Sequence, residues 1–312
     1  MAAGDSEAEL ISAQSPRCDD AAVTLDAIEA VDWSRIPGPT DDPGPPDLSA
    51  RNARPTPPGL NDAGLNDAGL NDAGLNDAGL NDAGLNDRGL YDPGRAATGL
   101  RALATATGLV RAADAGSLLA GGGLLHDHSG AVFPAAVTAA PILLGIVRHG
   151  HPHAAATALG LLDDALAFAS RDGRTRVATP YAEAVTICCA LADHLRCERD
   201  LLAASGPEGG RLLADATRHW RFDVHEVVAD AGGATVFGEL AGRFPDGTRT
   251  AEAHRLGRAV PLPAQVALLY PLVADSPDAC LRIDGAHPDE LAPPTVLFPA
   301  RCAADPAEPA AS

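Results

Sequence analysis

His219-Trp220-Arg221-Phe222-Asp223-Val224-His225-Glu226-Val227-Val228-Ala229 decides the fold. Before this stretch, apolar residues recur at three- and four-residue spacing; from Arg221 onward they recur every second residue. The first period is that of an α-helix with one buried face, and the second is that of a strand. Helices first and strands after them is the order of an α+β protein.

Downstream of Trp220 the alternation predicts six short strands, over 221–229, 235–244, 249–256, 264–271, 279–284 and 295–299. Gly232-Gly233 and Pro245-Asp246-Gly247 carry hairpin turn chemistry, so the strands are expected to form an antiparallel sheet docked on the helices. Trp220 and Phe222 are expected to weld the two layers, with Arg221 and Asp223 pairing at the surface. A hairpin centred on Gly232-Gly233 puts His225 opposite Glu239, and one centred on the Pro245–Thr248 turn puts Glu239 opposite His254. Two imidazoles flanking a carboxylate suit general acid–base chemistry or a metal, so His225, Glu239 and His254 are the candidate catalytic set of an enzyme reading. A one-residue slip breaks the set, and a solvated polar row accounts for the same residues.

Upstream, the clearest helical pattern covers 180–205, with Thr179 as cap, Pro180 in the first turn and Gly206-Pro207 as the stop. Val185, Cys188, Leu191, Ala192, Leu195 and Leu202 share one face of that helix. Cys188 thus reads as a core thiol, while His194 and Cys197 lie opposite and supply too few ligands for zinc. Adjacent Cys188 and Cys189 do not form a Cys-x-x-Cys pair, so the cysteines read as packing residues and an exposed thiol. Helical spacing also covers 95–113, 131–148, 153–169 and 207–219, with a short Gly-interrupted apolar stretch at 115–125. Pro134 suits a first turn, whereas Pro141 is expected to kink the run or start a new helix.

Histidines cluster at both ends of the 131–148 run, as His126-Asp127-His128 and as His149, His151 and His153. One helix between them would set the clusters about 27 Å apart, too far to share an ion. His149, His151 and His153 alone offer at most three imidazoles, a weak metal candidate beside the reading as solvated loops.

Ala30-Val31-Asp32-Trp33-Ser34, Gly130-Ala131-Val132-Phe133-Pro134-Ala135-Ala136-Val137 and Ala140-Pro141-Ile142-Leu143-Leu144 together resemble HEAT-like repeat proteins of GC-rich bacteria. The likeness spans about 24–35 and 95–205 and rests on packing positions. It implies helices stacked pairwise into a curved layer, a role in protein–protein contact, and no catalytic residue to carry over.

The N-terminal third differs. Residues 36–58 hold eight prolines and read as a linker. Residues 59–93 are seven pentads, five of them Gly-Leu-Asn-Asp-Ala. A five-residue step turns about 500° on a helix, so the leucines make no stripe, and in a strand they alternate faces. Three readings compete: a short pentapeptide solenoid, a calcium-binding repeat, and an expanded linker. The repeat offers little apolar surface against its ordering entropy, which points to the linker. Residues 1–93 are therefore expected to be mostly disordered apart from a helix near 21–33, capped by Asp20. A helical domain is expected over 94–220, a sheet region over 221–302 and a polar tail over 303–312.

Composition bounds the function. The chain has 312 residues, a formal charge of −19 and 46% apolar residues, enough for a core. Every cation is arginine, and no basic patch appears, which argues against nucleic-acid partners. No run approaches the apolar length of a membrane helix, the N-terminus lacks a signal peptide pattern, and six irregularly spaced cysteines do not form a disulfide scaffold. Gly121-Gly122-Gly123 is no nucleotide fingerprint. The expectation is a cytoplasmic, non-catalytic protein-interaction module without a cofactor, of the inhibitor or immunity type, whose partner is another protein.

Overall fold

The computed structural model describes residues 25–37, 91–173, 175–230, 232–258, 260–271 and 276–302. The proline linker, the first six pentads, the Asp20 cap and the 303–312 tail lie outside these residues.

The helical part opens with α1 (Leu25–Glu29) and a 3-10 turn over Trp33–Arg35, then α2 (Pro93–Ala104) and α3 (Leu109–Ala120). Asp92 caps α2 by accepting from the Gly94 and Arg95 amides, and Pro93 occupies the first turn. The predicted 95–113 helix is broken here: Thr105 ends α2 and Gly108 starts α3. A small hairpin, β1 (Leu125–His126) with β2 (Ala131–Val132), leads into α4 (Ala135–His149) and α5 (Pro152–Asp172). Pro141 lies inside α4, which continues through it. The cores of these helices are built largely from alanine, leucine and isoleucine, so the axes pack with small residues at the contacts.

Residues 176–186 differ from expectation, since the helix expected over 180–205 does not begin at Pro180. They form a second hairpin, β3 (Arg176–Thr179) and β4 (Ala182–Thr186), with Pro180-Tyr181 at its turn. Helix follows only from α6 (Ile187–Cys197), then α7 (Arg199–Ala204) and α8 (Gly206–Thr217). Thr179, expected to cap a helix, instead accepts from the Ala182 amide across the turn at 3.1 Å. The run Val185-Thr186-Ile187 is β-branched, which favours extended backbone over the helix that its apolar spacing suggested.

The strands β5 (Arg221–Asp230), β6 (Gly233–Ala241), β7 (Thr248–Arg255), β8 (Leu262–Pro271), β9 (Asp278–Asp284) and β10 (Thr295–Pro299) match the predicted six to within about three residues. They do not form an open sheet. They close into an antiparallel barrel in the order β10-β5-β6-β9-β8-β7, which removes free edges.

Trp220 and Phe222 are not the weld between layers. Both belong to the barrel interior, where Trp220 packs on Phe244 with ring centroids 4.8 Å apart. The weld is β10, all five of whose residues are buried. Leu297 points into the barrel core, whereas Val296 and Phe298 join the helical core. The same alternation on β7 sends Ala251 and Ala253 inward and leaves Glu252 and His254 facing the helical layer. Among the described residues, no helix is long and apolar enough to cross a membrane.

Tyr91, in the last pentad, packs on the helical part. It donates its hydroxyl to the Trp33 carbonyl at 2.9 Å and packs on Phe133 with centroids 5.5 Å apart.

Candidate metal centre

The barrel register separates the residues expected to form a catalytic set. Asp230 pairs with Gly233 at the end of the first hairpin. A bulge then falls between Val224 and Glu226, and Glu239 lies opposite Asp223 instead of His225. His225 is the unpaired residue of that bulge and is exposed. Strand β6 pairs on its other side with β9, so Glu239 faces Asp278, while His254 sits on β7 beside β8 and β10. His225, Glu239 and His254 therefore do not meet. A two-residue change in pairing and an unforeseen neighbour strand account for this; closing the barrel requires β7 to pair with β8 and β10.

His254 has another role. It is buried, and its Nε2 lies 3.2 Å from Glu252, whose carboxylate also takes two 2.8 Å hydrogen bonds from Arg176. Burial alone would raise the Glu252 carboxyl, but the bonds from His254 and Arg176 and the charge of Arg176 outweigh it and hold the group below its ordinary value. His149, His151 and His153 lie exposed at the α4–α5 junction, where the His151 ring caps α5 by accepting from the His153 amide at 3.3 Å.

Among the described residues, one group of three or more His, Cys, Asp or Glu side chains can reach a single ion: Cys188, Cys189, His219 and Cys302. Their ligating atoms all lie within 4.8 Å of one another. Ligands at ~2.3 Å for sulfur and ~2.0 Å for nitrogen around a tetrahedral ion sit about 3.5–3.8 Å apart, so the four donors need only small shifts to enclose one.

Three separate pieces of chain build the group. Cys188 and Cys189 occupy the first turn of α6, directly after strand β4. His219 lies in the short link between α8 and β5. Cys302 follows β10, whose pairing with β7 brings this segment back to the helical layer. Cys188, Cys189 and His219 are buried, and Cys302 is partly exposed. The Cys189 and Cys302 sulfurs are 3.0 Å apart, and the Thr186 hydroxyl is 3.6 Å from Cys302.

The Ser170 hydroxyl lies beside the His219 ring and bears on its tautomer. The Ser170 hydroxyl has one proton and donates it to the Leu166 carbonyl at 2.7 Å. Its contact with His219 Nε2 at 3.2 Å must therefore be donated by the ring. With the proton on Nε2, the neutral imidazole keeps the Nδ1 lone pair for an ion. Arg196 fixes the backbone of the same residue by donating to the carbonyls of His219 and Ala216, and it pairs with Asp193. Asp193 is bridged in turn to Arg221 at 2.8 Å and to the Tyr181 hydroxyl. Arg221 and Asp223 do pair, at 2.9 Å, but at this half-buried seam instead of the open surface.

The three sulfurs perturb one another. Hydrogen bonds from Cys189 and Cys302 hold the Cys188 thiol well below its ordinary value, and burial pushes Cys189 well up. Hydrogen bonding to Cys188 raises Cys302. Cys188 and Cys189 lie in the first turn of α6, where the helix dipole favours an anion.

Cys188 and Cys189 are packing residues of the helical core, as expected. They also face a third cysteine and a histidine brought in by the barrel. Spacing hid the site, because the donors are 30 to 114 residues apart and two of them are adjacent in sequence. Cys197 is exposed and outside the group. Comparison with protein families, with curated proteins and with solved structures finds no match.

Proposed function

We propose that the chain is a non-catalytic interaction module whose helical layer and barrel are fastened by a structural Cys3His metal centre, with zinc as the preferred ion. The observation that carries this reading is the convergence of four ligand-competent groups from three chain segments. Three thiolates and one imidazole are the donor set of closed, tetrahedral zinc sites. A closed set leaves no position for substrate, so the metal's role is to hold segments together. The expectation of a chain without a cofactor gives way to this reading. Three reduced thiols in one centre also suit a cytoplasmic setting.

Metal analysis of tag-free protein tests it. One equivalent of zinc per chain is expected, falling to a small fraction in Cys302→Ser and in His219→Gln. Wild-type protein that stays metal-free after incubation with zinc under reducing conditions overturns the reading.

The interaction role rests on a different observation. Leu109 and Val110, at the start of α3, are 64% and 71% exposed. They offer an apolar spot on the helical layer, which we read as HEAT-like, for another protein. A Leu109→Asp, Val110→Asp variant that keeps the wild-type melting temperature and the same bound proteins counts against this face.

A further inference from the structure

We propose that Cys189 and Cys302 are a redox modification site: a hydroperoxide joins them in a disulfide, and disulfide and metal exclude each other. The exclusion rests on the metal reading above; the pairing rests on geometry alone. The two sulfurs are 3.0 Å apart, ~1 Å beyond the ~2.0 Å of a disulfide bond. They come from α6 and from the segment after β10, so closing the bond needs only a small movement of that segment. Cys188 is the third thiol, but its bond to Cys189 would close a strained ring across one peptide inside a helix.

Access selects the first step. Cys302 is the partly exposed member, whereas Cys188 and Cys189 are buried. The Cys302 sulfur attacks the distal oxygen of the hydroperoxide and breaks the O–O bond. The products are the Cys302 sulfenic acid and an alcohol, or water when the oxidant is hydrogen peroxide, and the thiol proton goes to the departing oxygen. The Cys189 sulfur then attacks the sulfenic sulfur. The S–S bond forms, the S–O bond breaks, and hydroxide leaves with the Cys189 proton as water. Two thiols lose two electrons and one hydroperoxide gains them; in the zinc-loaded centre, where the ligating sulfurs are thiolates, the two protons come from water as the ion leaves.

The outcome for the centre follows from ligand count. The disulfide removes two of four donors, and Cys188 and His219 alone do not complete a tetrahedral shell. The junction remains tied in both states, by the ion when reduced and by a covalent bond between α6 and the segment after β10 when oxidised.

The test uses the full-length chain, zinc-loaded and after chelation, treated with hydrogen peroxide. Free thiols are then blocked, the protein is digested without reduction, and the disulfide-linked peptides are identified by mass spectrometry. Released zinc is followed with a chromogenic chelator. The expected result is a Cys189–Cys302 linked peptide from both samples, one zinc released per disulfide, and reversal by dithiothreitol. Cys188→Ser should still form the link. A different pairing, or stable sulfinic acid at Cys302 with no link, overturns the proposal even when zinc is bound, and leaves the metal reading intact. A Cys189–Cys302 link in a chain that never takes up zinc supports the pairing and removes the metal reading with the exclusion. The mapping is done on the wild-type chain, so the result stands even where a variant fails to fold.

Discussion

Arg176, on the small hairpin of the helical layer, grips Glu252 of the barrel through two hydrogen bonds of 2.8 Å each. Both side chains are largely removed from water, and His254 shares the same carboxylate. Removing one partner of such a pair leaves an uncompensated charge, so Arg176→Ala is expected to cost ~3–5 kcal/mol, measured by urea unfolding. Replacing both, as Arg176→Met with Glu252→Leu, should cost much less than the single change, because no charge is left behind.

The same pair sets an acid limb of stability. The folded chain holds the Glu252 carboxyl below its ordinary 4.5, so the unfolded chain binds the proton more readily. Its contribution is present in full above that ordinary value and is lost as pH falls through the lowered folded value. The difference in urea midpoint between wild type and Glu252→Gln should therefore shrink from pH 6 to about pH 3, since terms shared by both proteins cancel. A difference that stays constant over this range contradicts the assignment.

Ser170→Ala isolates the orienting bond at the metal centre. The change removes the acceptor of the His219 Nε2 proton while leaving all four ligands in place. Loss of such a partner typically weakens metal binding 10–100-fold, so zinc affinity measured by competition with a chelator should fall about that much. Far-UV circular dichroism of the zinc-saturated variant should match wild type. An unchanged affinity means that the ring is oriented by something else.

Much of the barrel was legible because alternation over strands such as Gly233–Ala241 is a local signal. Closure was not, since the pairing of Thr295 with Arg255 depends on how the whole sheet coils. The register failed in two steps of one residue, at the hairpin end, where Asp230 pairs with Gly233, and at the bulge at His225, of which Gly238 inside a strand was a sign. Helix α6 was visible, but its start was not, because Val185 satisfies a helical wheel and a strand equally well. The metal centre needs contacts that no spacing rule encodes: Cys302 reaches α6 only because β10 closes the barrel. The charge pair Arg176–Glu252 was hidden for the same reason, with its members 76 residues apart.

Gly238 tests the bulge directly. A Cβ there would lie 1.9 Å from the Asp223 carbonyl oxygen and 3.1 Å from the Phe222 ring. Backbone cannot yield as a flexible side chain would, so Gly238→Ala is expected to destabilise by at least ~1–3 kcal/mol. Gly210, exposed in α8, is the control, because a Cβ there would meet no atom within 4 Å. Gly210→Ala should stabilise by ~0.5–1 kcal/mol, because alanine loses less backbone entropy in a helix. Thermal unfolding of the two variants should move in opposite directions.

The pentads provide the last test. Their five-residue period builds no apolar stripe on a helix or on a strand, so residues 59–88 should add nothing to the core. Tyr91, one pentad later, is already part of it through Trp33 and Phe133. Burial and the neighbouring Asp92 push its hydroxyl up to about 12, so it stays a hydrogen-bond donor across the physiological range. Deleting 59–88 is therefore expected to leave the melting temperature within about 1 °C of wild type, the error of a neutral surface change. Tyr91→Ala should lower it by several degrees through the lost packing and hydrogen bond, a cost of ~2–4 kcal/mol. A large drop on deletion would mean that the repeat packs on the helical layer after all, and the linker reading would go.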